Sequence, residues 1–94
     1  SSPQEIAPYG LNLAMSAGND GTVHVVYEAG DEIFYVTGSP TGDWSEPVNV
    51  SGSSWYSLYA DVEVDPTDKI WVVWTEVDHL GGGMSTPYYS VAEN

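Results

Sequence analysis

The chain has no cysteine and no arginine, and apart from two histidines its only basic side chain is Lys69. Without cysteine there can be no disulfide and no thiolate metal site, and cysteine pairing says nothing about the redox compartment. Without clustered cations the chain has no means of gripping phosphate, so nucleic acid and anionic membranes are excluded as partners. Fourteen Asp and Glu leave a formal net charge of −13. Such an excess fits a saline habitat or divalent cations, and equally serves only to keep an aromatic-rich chain soluble. Long hydrophobic runs are missing too: none approaches the roughly 18 apolar residues that span a bilayer. The opening Ser1-Ser2-Pro3-Gln4 has neither a charged n-region nor an apolar h-region. The expectation is a soluble chain, mature or trimmed, for which a secreted, phage or marine microbial setting all fit.

What is present is β structure. Aromatic residues make up 13% of the chain and the apolar residues fall in patterned blocks, which sets disorder aside. Helical periodicity is missing; short apolar or alternating runs rich in Val, Tyr and Trp recur between Gly, Pro, Asp, Asn and Ser. The clearest strands are 11–16, 22–28, 32–37, 47–50, 58–64, 69–77 and 87–92. Turn chemistry separates them at Gly18-Asn19-Asp20-Gly21, Ala29-Gly30-Asp31, 38–43 and Asp65-Pro66-Thr67-Asp68.

An internal repeat connects these strands. Thr22-Val23-His24-Val25-Val26-Tyr27-Glu28 lies on Lys69-Ile70-Trp71-Val72-Val73-Trp74-Thr75, a shift of 47 residues, the separation of Val23 and Ile70. The preceding strand obeys the same shift: Leu11 meets Leu58, Met15 meets Val62, Ala17 meets Val64. A period in the forties with about four strands per unit is the signature of a β-propeller, each unit being one blade. Blade one is complete, its fourth strand running from Trp44 to Ser51. Blade two stops after three strands, and Ser2-Pro3-Gln4-Glu5-Ile6-Ala7 echoes Glu46-Pro47-Val48-Asn49-Val50-Ser51 at the other end of the chain. The predicted organisation is therefore one unit over 1–94: a closing outer strand and blade-joining loop over 1–10, blade one over 11–51, and blade two over 52–94 lacking its outer strand.

Two blades cannot close a ring, and 94 residues leave much apolar surface uncovered. With disulfides excluded, self-association is the remaining staple. The N-terminal strand would complete a blade of another subunit, and a head-to-tail contact repeated by rotation makes a ring. Three copies give six blades, with four copies and eight blades ranked second. The middle strands read the same way, since Val23, Val25, Val26 and Tyr27, like Ile70 to Trp74, are apolar on successive residues and ask for cover on both faces.

From these residues the chain resembles the sialidase-like, Asp-box (BNR-type) repeats of six-bladed propellers. The resemblance rests on Asp20-Gly21-Thr22-Val23-His24-Val25-Val26-Tyr27, on Ile33-Phe34-Tyr35-Val36-Thr37, on Trp44-Ser45-Glu46-Pro47-Val48, and in blade two on Val62-Glu63-Val64-Asp65 with Ile70 to Trp74. It covers nearly the whole chain and is a likeness of repeat shape. The box is degenerate, with Thr37 and Trp44 at its outer positions, Ser39 at its aspartate and the glycine displaced to Gly42; blade two has an insertion, His79 to Met84, in place of a box. The organisation is also similar to small bacterial and fungal lectins whose two-blade chains trimerise into six-bladed rings, which implies sugar binding as an expectation. Sialidases of the family grip the substrate carboxylate with clustered arginines. This chain has none, so sialidase activity is disfavoured.

No catalytic residue stands out. A glycosidase needs two suitably spaced carboxyl groups, but fourteen scattered acids single out no pair. Binding by stacking and hydrogen bonding is better supported, because loops joining successive blades and loops between second and third strands emerge on one face. Those loops carry Tyr9, Trp55, Tyr56, Asp78 and His79, the predicted ligand-binding set; aromatics beside polar groups suit a neutral sugar, whose C–H face packs on a ring. The opposing reading is that Trp55 and Tyr56 wedge between blades. Two histidines without ligand spacing make no zinc site, so His24 is expected to be packed and His79 exposed. No resident cofactor is expected; Ca²⁺ through Asp61, Glu63, Asp65 and Asp68 is the one cation reading, against ordinary turn aspartates. Gly81-Gly82-Gly83 is no phosphate loop, since no Lys-Ser or Lys-Thr follows, and Asn49-Val50-Ser51 is a glycosylation sequon only in a eukaryotic secretory setting. The sequence thus points first to a non-catalytic module recognising neutral carbohydrate, then to a structural propeller without a small-molecule site, and last to a glycoside hydrolase.

Overall fold

A computed structural model of the chain describes residue 6 and residues 10–52, 56–77 and 85–93, and it is all-β. Strands β1 (Leu11–Ala17), β2 (Val23–Ala29), β3 (Glu32–Gly38) and β4 (Val48–Asn49) form one antiparallel sheet in chain order. Strands β5 (Tyr56–Val64), β6 (Lys69–Val77) and β7 (Ser85–Glu93) form a second. Each sequence-predicted strand is found, but the fourth is shorter than expected. Of 44–51 only Val48–Asn49 is strand, pairing Tyr35↔Val48 and Phe34↔Asn49, with an isolated bridge Gly38↔Trp44 before it. Pro47 lies between these pairings and has no N–H to give a ladder.

The 47-residue repeat recurs in the backbone. The β1–β2 ladder is interrupted between Leu11 and Ala14, the β5–β6 ladder between Leu58 and Asp61, the same repeat positions. Inside each interruption one residue takes positive φ: Asn12 at 51° and Tyr59 at 58°. These are bulges, which sharpen the local twist of an edge strand. The β1–β2 and β5–β6 turns match bond for bond. Gly18 N–H donates to Thr22 O at 2.8 Å as Asp65 N–H does to Lys69 O at 2.9 Å, and the left-handed turn residue is Gly21 (φ 86°) in one and Asp68 (φ 66°) in the other.

The sheets pack face to face. Side chains alternate across a strand, so His24, Val26 and Glu28 of β2 with Ile33 and Tyr35 of β3 face inward, opposite Ala60, Val62, Ile70, Val72, Trp74 and Glu76. Val26, Ile33, Ala60, Val62, Ile70, Val72 and Trp74 make the main core. A smaller cluster of Val25, Tyr27 and Val36 occupies the far face of the first sheet, under Ile6, Phe34 and Trp44. The two middle strands thus diverge from their common pattern. β2 is covered on both faces, whereas β6 alternates strictly, and Trp71 and Val73 stand exposed on the outward face with Tyr89 and Val91. Trp71 and Tyr89 stack there at 5.8 Å.

The segment 38–43 forms a turn. Ser39 N–H donates to Asp43 O at 2.8 Å, Gly42 N–H to Ser39 O at 2.9 Å, and Asp43 N–H to Ser39 Oγ at 3.2 Å, so Ser39 organises the loop. Trp44 then folds back over Gly38, where a Cβ would stand 2.9 Å from the indole.

Candidate functional site

β1 and β5 begin, and β2 and β6 end, at the same edge of the two sheets, because Leu11 lies opposite Glu28 and Tyr56 opposite Val77. The chain segments holding the predicted ligand residues attach at this edge. Tyr9, Trp55, Asp78 and His79 lie outside the described residues. Tyr56 is described: it opens β5 and is exposed to solvent.

Two acids that sequence reasoning passed over are buried at this edge, Glu28 and Glu76. Glu28 Oε2 accepts from Asn12 Nδ2 at 3.0 Å and from Tyr59 N–H at 2.8 Å. One oxygen therefore holds the bulged residues of both sheets. Glu76 Oε2 accepts from Trp74 Nε1 at 3.0 Å. Beside it Ser57, paired opposite Glu76, has a buried Oγ with no hydrogen-bond partner among the described residues, while its N–H donates to Asp31 O at 2.9 Å. The signal for both acids was in the alternation, since Glu28 continues the inward series His24, Val26 and Glu76 the series Ile70, Val72, Trp74. A cleft of about 140 Å³ lined by Leu11, Glu28, Ala29, Gly30, Asp31 and Leu58 opens here. Its wall offers carboxylate and carbonyl acceptors beside aliphatic surface, a set that suits hydroxyl donors.

A larger cleft of about 350 Å³ lies between the sheets away from this edge, with Tyr35, Val48, Asn49, Val50, Ile70, Val72, Ser90 and Ala92 around it. His24, on the inward face of β2, is fully buried and stacked on Tyr35 at 5.9 Å, with Nδ1 2.7 Å from the Tyr35 hydroxyl. Burial pushes its affinity for a proton down, against a smaller opposing pull from Asp20. The same loss of solvent pushes the Tyr35 hydroxyl up.

The four acids of the calcium reading are not gathered. Asp65 Oδ1 accepts from Thr67 N–H at 2.8 Å, Thr67 Oγ1 at 2.7 Å and Lys69 N–H at 3.0 Å, and Oδ2 from Trp71 Nε1 at 2.8 Å; these bonds, the Thr67 hydroxyl first, hold its carboxyl well below the usual range. Asp68 accepts from Asn19 Nδ2 at 3.2 Å, and Asp61 turns back on Val62 N–H at 2.9 Å. Asp61 and Glu63 stand on the outward face of the second sheet, opposite Val73 and Trp71. Among the described residues no three His, Asp or Glu come close enough to hold a metal ion. In comparisons with known proteins, no family model, no curated protein and no solved structure matches this chain.

Proposed function

We propose that the chain is a two-blade unit of a sialidase-like six-bladed propeller, closed by three copies, and that it works as a non-catalytic recognition module for neutral carbohydrate. One observation carries this reading. The first two strands of each sheet share strand register, bulge position and turn hydrogen bonds at a constant shift of 47 residues, which is how one structural unit repeated around an axis is written in a backbone. In the ring the N-terminal strand of one copy lies beside β7 of the next, the place that β4 takes beside β3. The ligand sits at the edge where Tyr56 opens β5 and the 140 Å³ cleft shows its carboxylate wall. Acceptors without cations favour a hydroxyl-rich, uncharged ligand over a sialic acid or sugar phosphate. Each site is shallow, so avidity comes from several sites on one ring.

Native mass measurement combined with calorimetric titration tests the proposal. Expected are a trimeric mass and saturable heats with neutral oligosaccharides, with none from charged ones. An assembled ring silent to neutral glycans at millimolar concentration would leave a structural propeller, and turnover of a chromogenic glycoside would overturn the non-catalytic assignment.

A further inference from the structure

We infer that the outward face of the second sheet docks on the far face of the first sheet of another copy, head to tail, by repeating the sheet–sheet contact already present inside one chain. This rests on the ring reading and adds which faces and which residues meet. The strand registers and the burial show that the 47-residue repeat exchanges inward and outward faces. It carries Val23, Val25 and Tyr27 of the far face onto Ile70, Val72 and Trp74, which are inward. It carries His24, Val26 and Glu28, which are inward, onto Trp71, Val73 and Thr75 of the outward face. Each sheet thus has one face of each kind, and within the chain the second kind on the first sheet meets the first kind on the second. The outward face of the second sheet and the exposed β1 side of the far face, where Leu13 and Met15 stand, are of opposite kind, a heterologous pair that repeats the internal contact.

Exposure marks the two halves. Val26 is 0% exposed while its equivalent Val73 is 46% exposed; Ala60 and Val62 are 8% and 2% exposed while their equivalents Leu13 and Met15 are 57% and 64% exposed. Leu13 and Met15 lie on edge strand β1, beside the Val25–Tyr27–Val36 cluster that Ile6 overlies. Polar contacts carry over as well. Ser16 Oγ accepts from Val64 N–H at 3.3 Å, and Glu28 Oε2 accepts from Tyr59 N–H. Their equivalents give Glu63 the N–H of Ala17 in the next copy, and Thr75 the N–H of Asn12.

The test uses the full chain with two exposed positions changed, Val73→Lys and Met15→Lys, each placing a cation on one half of the interface. Circular dichroism and urea denaturation of each variant, together with the milder Val73→Ser and Met15→Ser, show whether the fold is kept. Sedimentation equilibrium then reads assembly. The wild type forms a closed oligomer, and each Lys variant alone needs roughly a hundredfold higher concentration to associate, as expected for a central interface position. Mixed one to one, the variants give a heterodimer that grows no further, since one intact half remains on each chain and the two halves match. Assembly of either Lys variant with wild-type affinity overturns the inference, as does a mixture that stays monomeric. A wild type that assembles while the mixture fails refutes only this pairing of faces; a folded wild type that stays single at millimolar concentration refutes the pairing and the ring together.

Discussion

Replacing Glu28 separates what its charge does from what its position does. Both donors, Asn12 Nδ2 and Tyr59 N–H, converge on the same oxygen, and Glu28 is buried. Glu28→Gln keeps an acceptor oxygen able to occupy that point, so both bonds persist as neutral ones, and relief from burying a carboxylate offsets part of the lost strength. Glu28→Ala removes the acceptor and strands the Tyr59 N–H at a bulge. Hydrogen bonds to a charged group contribute about 1.5–3 kcal/mol each; Asn12 is exposed and water replaces much of its bond, which leaves about 2–3 kcal/mol for Glu28→Ala and under about 1 kcal/mol for Glu28→Gln. Urea denaturation followed by tryptophan fluorescence, at one protein concentration for all variants, reads this as a fall in midpoint of about 0.7–3 M for alanine with slopes near 1–3 kcal/mol/M. Equal losses for the two variants would refute the reasoning, because charge and not a shared acceptor would then be holding the bulges.

Stability should fall as pH drops from 8 to 5, with His24 a contributor. Its folded-state proton affinity is lowered, so the unfolded chain takes up protons first, from about pH 6.5 downward; His24→Gln should flatten that part of a thermal-denaturation pH series. Below that range a second loss is expected as pH falls from the ordinary carboxyl value near 3.8 toward the depressed values of Asp65 and Asp20, since their stabilisation exists only while they are ionised; Asp65→Asn should reduce it. Gly10→Ala places a methyl 2.6 Å from Cδ2 of the buried Tyr27 ring, and overpacking of this kind costs about 1–3 kcal/mol, checked by the same urea titration. Like-charged copies at −13 each repel within a Debye length of about 10 Å at 0.1 M salt, so assembly should tighten as salt rises, measured by sedimentation at 0.01 and 0.5 M; weakening with salt would count against an apolar contact.

The alternation of Val, Tyr and Trp, the Gly and Asp turns and the 47-residue repeat placed the seven strands and the equivalence of the two sheets, because period two and turn chemistry are local properties written residue by residue. The length of β4 escaped, since ladder pairing beside Pro47 depends on which N–H groups a neighbouring strand needs. The loop residues chosen for ligand contact fall largely outside the described residues, and of that set Tyr56 alone is described.

What the sequence determined by itself was the all-β class, the repeat, the absence of any cysteine for a disulfide, and the apolar character of both faces of β2 and β6. Only the tertiary structure decided which of those faces is covered within one chain. It also decided that Glu28 and Glu76 are the buried acids among the described residues, and that one oxygen of Glu28 holds the bulges of both sheets. The physical reason is that hydrophobic character belongs to a residue, whereas burial and hydrogen-bond partnership belong to the approach of two sheets from distant parts of the chain.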